Sequence, residues 1–144
     1  MGDRPLVLCI QADRDNLGLI ERVLETTGRY ELARATDGVS GLDLCRKRRP
    51  ALVLLDLDLP LVDGFETFRR LKADPDVAGT TVVAVSASVM KGERRRCLDA
   101  GFAGFVEKPF DVHDLRRLVA RLVTRESGAP ADGPEAASEA QGEP

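Results

Sequence analysis

Ala51-Leu52-Val53-Leu54-Leu55-Asp56 decides the fold. The run is short, unbroken by polar residues and β-compatible, so it reads as a strand buried on both faces, and it stops on a carboxylate. Similar runs flank it: Leu6-Val-Leu-Cys-Ile10 upstream and Thr81-Val-Val-Ala-Val85 downstream. Tyr30-Glu-Leu-Ala-Arg-Ala35 alternates like a strand with one less buried face. Gly104-Phe-Val-Glu-Lys108 makes a fifth strand, ended by Pro109.

Helical periodicity fills the gaps. Leu17, Ile20, Val23 and Leu24 share a face between Leu17 and Thr27, and Gly28 stops that helix. Thr36-Asp37 caps a helix carrying Val39, Leu42 and Cys45, which ends in the basic turn Arg46-Lys-Arg-Arg49 before Pro50. Phe65, Phe68 and Leu71 define a short helix closed by Asp74-Pro75. A fourth runs from about Met90 to Ala100, with Gly101 after it. Asp111 caps the last, whose apolar face is Val112, Leu115, Leu118, Val119 and Leu122. Strand and helix thus alternate five times, which predicts an α/β fold: a doubly wound, five-stranded parallel sheet with helices on both faces. Such sheets bind ligands at the carboxyl ends of their strands.

Composition sets the surroundings. The 144 residues suit one domain, 43% hydrophobic and 31% charged. No apolar stretch approaches the ~20 residues a membrane helix needs, and the N-terminus lacks the apolar core of a signal peptide. Cys9, Cys45 and Cys97 are odd in number and match no zinc or redox spacing, which reads as reduced core thiols in a cytoplasmic protein. Glu126 to Pro144 holds five acids and no Lys or Arg, leaving residues 1–125 at +2 against −3 for the whole chain. That balance argues against nucleic-acid binding by bulk charge. The expected organisation is a folded domain over 1–125 and a disordered acidic tail over 126–144, which has no large apolar side chain to bury.

The strand ends carry the chemistry. The first is followed by Gln11-Ala12-Asp13, the third ends in Asp56 with Asp58 beyond, the fourth in Ser86-Ala87-Ser88 and the fifth in Lys108-Pro109. A parallel sheet gathers these into one cleft of carboxylates, a hydroxyl and an ammonium, an inventory that suits phosphoryl transfer. Taken singly, each has a plain reading: Asp56 a strand-end carboxylate, Ser86 a turn hydroxyl, Lys108 a solvated lysine. Their joint placement on three successive strand ends is the stronger signal.

At these residues the chain resembles the receiver domain of two-component response regulators, over about 5–125. Pro50-Ala-Leu-Val-Leu-Leu-Asp-Leu-Asp-Leu-Pro-Leu-Val-Asp-Gly64 and Val82-Val-Ala-Val-Ser-Ala87 carry the likeness. So does Met90-Lys-Gly with Ala100-Gly-Phe-Ala-Gly-Phe-Val-Glu-Lys-Pro-Phe110, which looks most like stand-alone cell-division receivers and those fused to hybrid kinases. The resemblance implies flavodoxin-like strand order 2-1-3-4-5. It implies that Asp56 accepts a phosphoryl group from a histidine kinase or histidine phosphotransfer protein, and that Lys108 pairs with the acyl phosphate through a cis Lys108-Pro109 peptide. Ser86 falls at the switch hydroxyl and Phe105 at the switch aromatic that turns inward with it. Asp56 also falls at a metal-ligand position, Asp58 where a backbone carbonyl contacts the metal, and Ser88 at the pocket mouth. The role implied is a signalling domain rather than an enzyme, catalysing at most its own phosphorylation and dephosphorylation. With no effector domain after Arg125, output is expected through contact with a downstream protein.

One departure stands out. Where the family carries an acid pair for Mg²⁺, this chain has Gln11 and Ala12. Magnesium prefers carboxylate and water oxygens, so its binding is expected to be weak or lost. Asp13, by a one-residue shift of its loop, or Asp58, through its side chain, are the carboxylates placed to compensate. The substitution also opens a second reading, a phosphorylation-independent pseudo-receiver serving as an interaction module. Enzyme readings fare worse. Asp56-Leu-Asp58 resembles the start of a haloacid-dehalogenase phosphatase motif, but Pro60 stands where Thr or Val belongs. A flavodoxin needs a hydroxyl- and Gly-rich loop that residues 11–16 do not form. His113 has no partner for catalysis, and Arg94-Arg95-Arg96 reads as a solvated helix face with partner recognition as the sharper alternative.

Overall fold

The computed structural model describes residues 4–87, 92–108 and 111–126. The apolar runs become β1 (Leu6–Ile10), β2 (Glu31–Ala35), β3 (Leu52–Asp56), β4 (Thr81–Ser86) and β5 (Gly104–Glu107). Every pairing is parallel and the order is β2-β1-β3-β4-β5, the doubly wound arrangement predicted from the alternation and the resemblance. β1 and β3 are buried at every residue, whereas β2, at the edge, keeps exposed positions, as its alternation implied.

Side-chain alternation splits the core in two. Leu8, Ile10, Val53, Leu55, Val82, Ala84 and Phe105 face the helices α2 (Gly38–Arg48), α3 (Gly64–Ala73) and α4 (Glu93–Ala100). Val7, Cys9, Leu52, Leu54, Val83, Val85 and Val106 face α1 (Arg14–Glu25) and α5 (Val112–Glu126). Fully apolar strands are what such a two-sided core demands. All three cysteines are buried and free. Burial pushes the Cys9 thiol up to about 12 and those of Cys45 and Cys97 up to about 11, which leaves them little thiolate for reaction.

Asp37 and Asp111 cap helices as the sequence signals, and Asp63 adds a cap that was not read from the sequence. Asp37 and Asp63 each accept from the backbone N–H three residues on, in Ser40 and Glu66, an interaction worth about 1 kcal/mol apiece. Asp111 does the same for α5 through His113 and Asp114. Gly28, at φ +68°, follows the last turn of α1.

Two expectations are corrected. α1 begins at Arg14, a turn before Leu17, because Asp13 caps it: its Oδ1 accepts from Asp15 N at 2.9 Å, and its carbonyl accepts from Leu17 N. Val39 is 60% exposed, since the buried face of α2 is built from Gly38, Gly41, Leu42 and Cys45 and Val39 lies well round from it. The helix read from Met90 is described from Glu93, with residues 88–91 outside the described set. The expected tail lies outside it as well from Ser127 onward.

Candidate functional site

β3 ends at Asp56, and register carries its neighbours to the same edge. Ile10 pairs with Leu55, so Gln11 comes beside Asp56; Asp56 pairs with Val85, and Ser86 with Glu107. Alternation then sorts the faces. Asp56 follows Leu54, and Lys108 follows Val106, both on the α1/α5 side. The two side chains therefore point the same way, and Lys108 reaches across the end of β4 to put Nζ 3.3 Å from Asp56 Oδ2. Its backbone N–H is fixed by Ser86 O at 2.9 Å.

Asp56 is only 2% exposed. A buried carboxylate needs partners, and both its oxygens have one: Oδ2 the ammonium, and Oδ1 the N–H of Asp58 at 2.9 Å. The loop that supplies Asp58 is pressed inward by Gly64. A Cβ there would come within 2.6 Å of Asp56 O and 2.5 Å of Leu57 Cα, so only glycine lets α3 start against the acceptor strand. Leu57 and Leu59 anchor this loop in the core, whereas Leu61 between them and α3 sits at φ +66°, a strained backbone for leucine, and is 98% exposed.

Ser86 and Phe105 lie on the opposite face from Asp56. Ser86 follows Val82 and Ala84 there, and Ala84 pairs with Phe105, so the two stand one diagonal step apart on adjoining strands. Both are buried. Phe105 is already turned inward, and the Arg94 guanidinium lies over its ring at 5.3 Å from the centroid. Arg96 stacks on Phe65 at 4.3 Å, and Arg95 approaches Asp99. The arginine run is therefore in part a set of clamps from α4 onto aromatic rings, which the sequence reading missed. No local spacing signals it, because the rings belong to β5 and α3. Ser88 and Pro109, and with Pro109 the expected cis peptide, lie outside the described residues.

As a seat for a divalent cation the donors do not fit. Gln11 is wholly buried; its Nε2 donates to Leu54 O at 3.4 Å, and its Oε1 has no partner among the described residues. The Ala12 methyl packs on the core of the opposite face. Asp13 stays exposed on the rim, its carboxylate engaged in capping α1. The Asp58 carboxylate lies 3.4 Å from Ala87 N, which it accepts from. Among the described residues no three His, Cys, Asp or Glu side chains gather to hold a metal. No helix among them is long and apolar enough to cross a membrane.

Known proteins share the sequence pattern and the fold. The family described as response regulator receiver domain matches residues 7–120. The polar-differentiation response regulator DivK of Brucella anthropi is 36% identical over 106 residues, 74% of this chain and 85% of that protein. Among solved structures, the receiver domain of the sensor histidine kinase PA1611 from Pseudomonas aeruginosa has 26% identity and a TM-score of 0.76, covering 84% of this chain and 98% of its own. That receiver holds a magnesium ion coordinated in its active-site cleft. The chemotaxis response regulator CheY4 of Vibrio cholerae, at 20% identity, shares the fold with a TM-score of 0.75 over 83% of this chain and 99% of its own. A match that takes in every described strand end, backed by a relative at 36% identity, makes this chain a member of the response regulator receiver domain family.

Proposed function

We propose that Asp56 is the phosphoacceptor of a stand-alone receiver, loaded from a phosphohistidine on a histidine kinase or histidine phosphotransfer protein. One Asp56 carboxylate oxygen forms the bond to phosphorus as the P–N bond breaks. The electron pair returns to the imidazole nitrogen, which takes a proton from solvent. Lys108 then holds the phosphoryl oxygens, and the Asp58 N–H steadies the carboxyl. The observation that carries this reading is the Asp56–Lys108 contact at 3.3 Å on the carboxyl edge of the sheet. A module indifferent to phosphate has no need to keep a buried acid and its ammonium together, which speaks against the pseudo-receiver alternative.

Ser86 and Phe105 form the switch in this reading, with Arg94 bearing on the ring. Loading Asp56 draws the hydroxyl toward the phosphoryl group and repacks the surface of α4, β5 and α5, where a downstream protein target binds. Magnesium binding is weak or lost, since no acid pair stands at Gln11 and Ala12 and the carboxylates of Asp13 and Asp58 are otherwise engaged. The receiver unit is 1–125, the residues beyond it form an acidic tail, and the protein works in the cytoplasm.

Phosphoramidate carries the same P–N bond as phosphohistidine and needs no partner protein. Incubation with it should raise the intact mass by one phosphoryl group, stable to acid and lost in base, and Asp56→Asn should gain none. Equal gain in Asp56→Asn would reject Asp56 as the acceptor.

A further inference from the structure

Gln11 and Ala12 change the charge of the cleft as well as its metal ligands. Gln11 is buried on the same face as Asp56, continuing the register that pairs Ile10 with Leu55, and its Nε2 is held by Leu54 O at 3.4 Å. Ala12 packs its methyl on the other face. Two carboxylates and one divalent cation together carry no formal charge, and neither do an amide and a methyl. A cleft that kept its acids but lost its metal would face an incoming phosphoryl group with two uncompensated negative charges. This cleft has none at those positions, whatever the metal concentration. Against Asp56 it sets the Lys108 ammonium at 3.3 Å, with the Lys108 side chain 11% exposed and so only weakly screened by water.

The geometry points to a receiver site that takes its phosphoryl group without a divalent cation, with Lys108 as the counter-charge and the Gln11 amide as a neutral wall where an acid would stand. This rests on the acceptor reading of Asp56. The step is the same displacement: the Asp56 oxygen bonds to phosphorus, the P–N bond breaks, and the leaving nitrogen takes its electron pair and a proton from water. The Gln11 Oε1 is a neutral acceptor without a partner among the described residues, so it brings no negative charge to the cleft.

The test compares phosphorylation by phosphoramidate in EDTA and in excess Mg²⁺, followed by intact mass, with Mg²⁺ titration calorimetry as a separate readout. In the wild type the two rates should agree within about twofold, with no saturable magnesium heat. Gln11→Glu/Ala12→Asp restores the two negative charges. It should bind Mg²⁺ and lose at least about tenfold in rate when EDTA is added. If the double variant does not fold, Ala12→Asp alone, at a half-buried position, serves for the same comparison. Phosphate gained by the wild type only with Mg²⁺ overturns the inference and leaves Asp56 as acceptor. An acid variant as indifferent to Mg²⁺ as the wild type also overturns it. No phosphate in either buffer overturns the acceptor reading and the inference together.

Discussion

Lys108 Nζ stands 3.3 Å from Asp56 Oδ2 across the end of β4, with 11% and 2% of the two side chains exposed. Removing one member of so enclosed a pair leaves the other charge uncompensated. Lys108→Met keeps the apolar stem and deletes the ammonium, and should lower unfolding free energy by about 2–3 kcal/mol. Asp56→Asn/Lys108→Met should regain part of that loss. Urea titrations of the two singles and the double measure this; additive losses would mean that the pair is not coupled.

Gly64 ties stability to the acceptor strand. Gly64→Ala drives a methyl into Asp56 O and Leu57 Cα, and should cost about 1–3 kcal/mol through forced backbone movement. Because that movement is at Asp56 itself, phosphoramidate labelling should slow as well. A variant of wild-type stability would show that α3 can retreat without strain.

Leu61 holds a left-handed backbone with its side chain in solvent. Asparagine tolerates this conformation without glycine's entropy cost, so Leu61→Asn should raise stability by about 0.5–1 kcal/mol. A loss in the denaturation midpoint would mean that the leucine makes contacts that outweigh the strain.

Acid sensitivity should appear at α3. Hydrogen bonds from Arg69, then Arg70, pull the Glu66 carboxyl from 4.5 down to about 2. A carboxyl held below its unfolded value binds its proton later in the folded chain. Its stabilisation is therefore full above about pH 4.5 and fades as pH falls toward about 2. Asp37 and Asp111, lowered by backbone N–H donors, act in the same direction. Glu66→Gln should be less stable than wild type at pH 7 and flatten the decline below pH 4.5. Urea midpoints across that range check both, and an unchanged slope would remove Glu66 from the account.

Most of the fold was legible because the strands of a two-sided parallel sheet are apolar at every position, as Leu52 to Leu55 are, and because Asp37 and Asp111 sit where caps belong. Val39 misled because an apolar residue at plausible spacing counts as core until the buried face, set here by Gly38 and Gly41, is known. The start of α1 was hidden by the polar run Arg14-Asp15-Asn16. The gathering of Asp56 and Lys108 in one cleft followed from their places at strand ends, whereas their direct contact rests on the face they share in the structure. The stacking of Arg94 on Phe105 and Arg96 on Phe65 did not follow from the sequence, since it arises where α4 crosses other elements.

Reductive trapping tests the central claim most directly. Borohydride converts an aspartyl phosphate to homoserine, so protein treated with phosphoramidate, reduced and digested should yield a peptide spanning Leu52–Asp56 with homoserine in place of Asp56 and no other converted aspartate. Homoserine at Asp13 or Asp58 instead, or at no position while the intact mass still gains phosphate, would contradict Asp56 as the acceptor.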